Sequence, residues 1–118
     1  MSRPRFLGDN DLNDAIVVGV LRREPTVEFS RLRILGMEAW DDSAILEHAA
    51  RENWIVVSHD VNTIRAAAYA RLAAGLEMNG LLLAHQRTPV SPIIECLLLI
   101  WSATEAEEWS GLVEFLPL

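Results

Sequence analysis

Two acidic residues follow short apolar runs in this chain: Asp9 after Phe6-Leu7-Gly8, and Asp60 after Ile55-Val56-Val57-Ser58-His59. A third, Asp42, opens a stretch in which Ala44, Ile45, His48 and Ala49 recur at helical spacing. Three carboxylates brought together cannot all stay ionised unless a cation offsets their repulsion. Oxygen-only donors select a hard divalent ion, Mg²⁺ or Mn²⁺, which can hold a phosphodiester and activate water. Each acid also has a purely structural reading as the cap of the helix that follows it.

For these acids to meet, the segments carrying Asp9 and Asp60 must be neighbouring strands, and the helix carrying Asp42 must begin on the same side of the sheet. The chain alternates in the way this requires. Residues 5–8 read as a strand, followed by polar Asp9-Asn10-Asp11 and a helix carrying Leu12, Ala15, Ile16, Gly19 and Val20. That helix ends at Glu24-Pro25, because the residue before proline avoids the α region. Residues 26–29, β-branched and aromatic, predict a second strand, with a connection through Gly36 beyond it. Asp41-Asp42-Ser43 opens the second helix, where carboxylates can accept the free N–H groups of the first turn.

Residues 54–58 form an unbroken apolar run, the pattern of a strand covered on both faces. An Ala-rich helix over residues 61–74 closes at Gly75, residues 81–84 supply a fourth strand, and Pro89 and Pro92 bracket the start of a helix reaching about Ala103. Residues 112–116 supply the last strand. Strands alternating with helices predict a mainly parallel sheet with helices on both faces, a three-layer α/β fold spanning residues 1–118 as a single domain.

Composition agrees with a packed core. Of the 118 residues, 51% are hydrophobic, enough to exclude a disordered chain. The lone Cys96, beside Leu97, Leu98 and Leu99, is expected to be a buried, inert thiol, in keeping with a reducing compartment. Neither a signal peptide nor a membrane span is legible, so a cytoplasmic location without a membrane partner is expected. The net charge of −7 opposes tight non-specific binding of phosphate backbones. That charge is uneven: residues 88–118 hold five Glu and no Arg, whereas eight of the ten Arg lie in residues 1–65. A local basic face in the first half remains open, and so does a basic partner for the acidic last third.

His59 reads as a polar contact at the rim of the site, and no pair of His has zinc-ligand spacing. Trp40, Trp54, Trp101 and Trp109 lie in or beside apolar runs and read as core or interface residues. No P-loop, G-x-G-x-x-G or G-x-S-x-G is present, which leaves nucleotide-binding and serine-hydrolase readings without a motif.

Taken in order, Arg5-Phe6-Leu7-Gly8-Asp9-Asn10, then Asp42-Ser43-Ala44-Ile45-Leu46 with Ala49-Ala50, then Val56-Val57-Ser58-His59-Asp60-Val61-Asn62-Thr63, resemble the small PIN-like proteins of bacteria, distant relatives of VapC-type ribonuclease toxins. The likeness extends to Leu81-Leu82-Leu83 and to the terminal Val113-Glu114-Phe115-Leu116-Pro117-Leu118. It implies a PIN-like Rossmannoid fold and metal-dependent cleavage of RNA, with Asp9, Asp42 and Asp60 as catalytic and metal-binding residues. A cognate antitoxin protein is implied as well. The family commonly has an acid directly after the first Asp and another two residues past the strand-end Asp; Asn10 and Asn62 stand there in this chain. Asparagine can ligate through its carbonyl oxygen but brings no charge, so these two are accessory donors and metal affinity is expected to be weak.

On this reading Arg22, Arg23 and Arg65 are candidates to hold the RNA backbone. The competing function is a PIN-like scaffold with a weakened metal site that acts as a protein-interaction module. A phosphorylation-receiver domain, which also gathers acids at strand ends, needs a lysine that this Lys-free chain lacks. The apolar residues from Leu97 to Trp101 are compatible with a homodimer.

Overall fold

A computed structural model describes residues 2–118. Five strands, β1 (Phe6–Gly8), β2 (Phe29–Arg31), β3 (Ile55–Ser58), β4 (Leu81–Leu83) and β5 (Val113–Phe115), alternate with four helices. The helices are α1 (Asp14–Arg23), α2 (Asp42–Glu52), α3 (Thr63–Ala73) and α4 (Val90–Ala103), with a 3₁₀ turn at Ala106–Trp109 before the last strand. All pairings are parallel and the strand order is β2-β1-β3-β4-β5. The result is a three-layer, Rossmann-like α/β fold. No helix among the described residues is long and apolar enough to cross a membrane.

Period-two alternation along the strands splits the core into two layers. Phe6, Phe29, Ile55, Val57 and Leu82 face α1 and α4, while Leu7, Val56, Leu81 and Leu83 face α2 and α3. Because the central strands are covered on both faces, β3 and β4 are apolar at nearly every position and β3 is buried throughout. The helices are shaped to their faces: α1 buries Ile16, Val17 and Val20, and α2 buries Ile45, Leu46 and Ala49. Gly19 lets α1 close against α4, since a Cβ there would lie 2.3 Å from Ile94 Cδ1. Gly80, at φ +116°, carries the chain into β4 with Trp109 O 2.9 Å from where a Cβ would stand, so only glycine suits the position.

One connection differs from the others. Passing from β1 through α1 to β2 and from β3 through α3 to β4 reverses both the direction across the sheet and the face used, so these two crossovers share one hand. The path from β4 through α4 to β5 keeps the direction of the preceding unit but uses the face of α1, which gives it the opposite hand. Parallel crossovers have a strong handedness preference. The exception has a packing reason: α1 alone would leave Val57 and Leu82 uncovered on its side, and Ile93, Ile94, Leu97 and Ile100 of α4 close that gap.

Several sequence readings shift. The strand expected over residues 26–29 begins only at Phe29, because Val27 N–H bonds Glu24 O at 3.2 Å in a turn that tucks Val27 into the α1 layer. Pairing starts where Phe29 comes opposite Phe6. Cys96, expected to be buried, is only half-buried on α4. Trp54 and Trp109 are in the core, whereas Trp40 is 42% exposed and meets His48 edge-on.

Candidate functional site

β1 and β3 are adjacent, and the chain leaves them toward opposite edges of the sheet, β1 for β2 and β3 for β4. This is the switch point at which open parallel sheets bind ligands beyond their carboxyl ends. Asp9 is the first residue past β1, and its N–H extends the pairing to Val57 O at 2.9 Å. One carboxylate oxygen accepts from Asn10 N–H at 2.8 Å and the other from Ser58 Oγ at 2.8 Å. Ser58 is fully buried and ties three residues of the site together: it donates to Asp9, lies 3.3 Å from Asp11 Oδ1, and accepts from Asp60 N–H at 2.9 Å. Asp11 Oδ1 also accepts from His59 N–H at 3.2 Å.

Burial pushes the Asp9 carboxyl above its ordinary value, and the Ser58 and Asn10 hydrogen bonds offset only part of that. The negative charges of Asp11 and Asp42 raise it further. Of these two charges, that of Asp42 has the smaller influence. Asp42 is not the helix cap. Asp41 performs that task, accepting from Ala44 N–H at 2.8 Å, and so leaves the half-buried Asp42 carboxylate uncommitted at the start of α2.

Asp60 is placed differently. Its carboxylate turns into the first turn of α3, accepting from the N–H groups of Asn62 and Thr63 at 2.9 Å each, and from the Thr63 hydroxyl. Burial alone would raise its pKa, but these bonds, with one from Ile64 N–H, outweigh it and hold the carboxyl below the ordinary range. Asp60 thus caps α3 while its backbone anchors Ser58. Replacing Asp60 by Ala is expected to cost about 1 kcal/mol at neutral pH. Because the folded pKa is lowered, that contribution is present above the ordinary value of 3.8 and is lost as pH falls through the folded one. Urea unfolding of both proteins at pH 7 and below pH 3.8 checks this; a gap of the same size at both pH values would contradict it.

The accessory residues divide as well. Asn10 Nδ2 donates to Glu38 O at 2.8 Å and ties the Asp9 loop to the segment leading into α2, while the exposed Asn62 side chain makes no cap hydrogen bond. His59 is buried, its Nδ1 2.8 Å from Ala84 O, which makes it a strut between the ends of β3 and β4. Arg22 and Arg23 lie in the last turn of α1, at the amino edge of the sheet and away from Asp9; Arg23 faces Glu95 at 3.9 Å. Arg65 lies in the first turns of α3, at the same edge as Asp9.

Three residues of this edge escape a sequence reading. Asp11 was legible only as part of a polar turn, yet Leu12 N–H bonding Asp9 O at 3.1 Å folds that turn so that Asp9 and Asp11 share Ser58. Arg31 and Arg33, at and beyond the end of β2, grip Asp14 at 3.1 and 3.0 Å. Spacing two apart in a turn was the available signal for Asp11; for the Arg pair it was their place beyond a strand end.

The donor set suits a hard divalent cation in chemistry, being all oxygen and carrying unbalanced negative charge around a partly buried carboxylate. Among the described residues, no group of three or more His, Cys, Asp or Glu is gathered closely enough to hold an ion by itself. Mg²⁺ does not require one, since it is commonly bound through one or two carboxylates, with water and substrate phosphate completing its shell. Comparison of the chain with protein-family models, with curated proteins and with solved structures gave no match.

Proposed function

We propose that this protein is a Mg²⁺- or Mn²⁺-dependent endoribonuclease of PIN-like type, the toxin of a toxin–antitoxin pair acting in the cytoplasm. What supports this reading is that Asp9 and Asp11 share Ser58 at the β1/β3 switch point, where burial, and to a lesser extent the charges of Asp11 and Asp42, raise the pKa of Asp9. A protein that only needed to fold would gain by removing that charge. Asp9 and Asp42 would hold the cation, with Asp11 the nearest further oxygen donor. When bound, a divalent cation supplies Lewis acidity, offsetting phosphate charge and making water a better nucleophile at neutral pH. Ser58 and Asn10 N–H fix the Asp9 carboxylate, so its orientation is set before any ligand arrives. Asp60 is a positioning residue on this account, through its backbone bond to Ser58.

The engagement of the Asp60 carboxylate with α3 favours a second reading, a scaffold whose acidic final third binds a partner protein. Two measurements separate them. Incubation with end-labelled single-stranded RNA is expected to give cleavage with Mn²⁺ and none with EDTA, and Mn²⁺ is expected to raise Tm by mass action. Cleavage that persists in EDTA overturns the metal mechanism. Absence of both cleavage and a Tm shift at millimolar Mn²⁺ overturns the nuclease and leaves the scaffold.

A further inference from the structure

The carboxyl edge of the sheet carries a second feature, on the β4 and β5 side. The rings of His85 and Phe115 are stacked, with centroids 5.2 Å apart and planes 24° from parallel. The Arg65 guanidinium lies 5.6 Å from the Phe115 ring centre and 5.9 Å from that of Tyr69. His85, Phe115, Arg65 and Tyr69 thus form a continuous row of flat π-systems contributed by the end of β4, the end of β5 and α3. A depression of about 380 Å³ adjoins it, lined by Asn62, Arg65 and Tyr69 among others. Tyr69 is 50% exposed, and Arg65 forms no ion pair among the described residues, although the chain carries 17 acidic residues.

From this arrangement we infer that the row is a platform on which bases of single-stranded RNA stack, with Arg65 also holding a phosphate. This deepens the nuclease reading and rests on it for the choice of RNA. An arginine between two aromatic rings with no carboxylate partner offers both things a single strand presents, flat bases and negative charge. Because the net charge of −7 opposes general attraction of a polyanion, binding must come from a local arrangement such as this one. The position also suits the task. β5 lies three strand spacings from β1, roughly 14 Å, so one short strand can cover the row and reach Asp9 along the same edge.

The test is fluorescence anisotropy with a 5′-fluorescein octauridylate, in EDTA and at low salt, so that no metal-dependent step contributes. The expected result is saturable binding by the wild type, weakened roughly fivefold or more by Arg65→Ala and by Tyr69→Ala. Tyr69→Phe, which keeps the ring, is expected to bind as wild type, and so is Arg51→Ala, in the exposed last turn of α2 at the far edge. Both α3 positions are exposed, and unchanged melting curves confirm that the variants are folded. Binding unaffected by both alanine variants, absence of binding by the wild type, or equal displacement of the RNA by poly-glutamate overturns the platform, the last by marking the patch as a site for acidic peptides. If RNA binding depends on Arg65 and Tyr69 while no RNA is cleaved in Mn²⁺, the platform stands and the nuclease fails; metal-dependent cleavage with wild-type binding by both alanine variants is the reverse.

Discussion

Replacing Asp9 by Asn is expected to abolish metal-dependent RNA cleavage, lowering the rate at least about 100-fold, while raising stability at pH 7 by roughly 0.5–2 kcal/mol. The two effects share one cause. Asp9 holds its negative charge in a partly buried position near Asp11 and Asp42, so its folded pKa lies above the ordinary 3.8. A carboxyl with a raised folded pKa costs stability when ionised; that cost is fully present above the folded value and disappears as pH falls toward 3.8. An amide keeps the hydrogen bonds without the charge. Its oxygen accepts from Asn10 N–H, its NH₂ donates to Ser58 Oγ, and the freed hydroxyl proton turns to Asp11, only 3.3 Å away. The difference in stability between wild type and variant should therefore shrink as pH falls from 7 toward 4, the wild type gaining on the variant. Thermal melts across that range, with cleavage assays alongside, provide the check. A variant that still cleaves would show that Asp9 is not needed to hold the cation, and one that is less stable at pH 7 would show that its charge serves the fold.

Phe6→Ala should destabilise the protein by about 3–5 kcal/mol, a large part of the roughly 5–15 kcal/mol available to a domain of this size. Phe6 is fully buried, pairs with both Phe29 and Ile55 across the sheet, and packs its ring 5.5 Å from that of Phe29. Truncation leaves a cavity between β1 and the α1 layer that rigid neighbours on both sides cannot fill. Since Asp9 follows Phe6 by three residues on the same segment, the site should loosen with the strand. Urea unfolding is the measurement: a midpoint shift equivalent to less than about 1 kcal/mol would mean that the α1 face does not depend on this ring. Phe6→Leu, which retains most of the volume, should cost much less.

Both predictions depend on how far local pattern reaches. The parallel, helix-covered sheet is legible because burial on two faces leaves a continuous apolar run, as in residues 54–58, and because the helices repeat apolar residues every three or four positions. The start of β2 is less so. Val27 looks like a strand residue, and only the turn bond to Glu24 removes it from the sheet. At the site, Asp9 and Asp42 are recognisable as acids at a strand end and a helix start. What separates Asp42 from a cap is its neighbour Asp41 taking the N–H of Ala44, a choice between adjacent identical side chains that composition cannot make.

Asp60 and Arg65 mark the same boundary from the other side. Both lie near a strand end that the sequence identifies, yet whether a carboxylate faces the ligand edge or its own helix depends on side-chain torsions set by Thr63 and the first turn of α3. Phe115 and Arg65 are 50 residues apart and become partners only because β5 joins the sheet beside β4.

The amino-acid sequence by itself determined the alternation of elements, the two-sided burial of the central strands and the placing of acids at the ends of β1 and β3, because each follows from residue type and short-range spacing. Strand order, the face that α4 covers and the joining of Asp11 to Asp9 through Ser58 were decided by the tertiary structure. These depend on which apolar surfaces would otherwise stay in water and on hydrogen bonds between residues nearly 50 positions apart, neither of which is written in any local stretch of the chain.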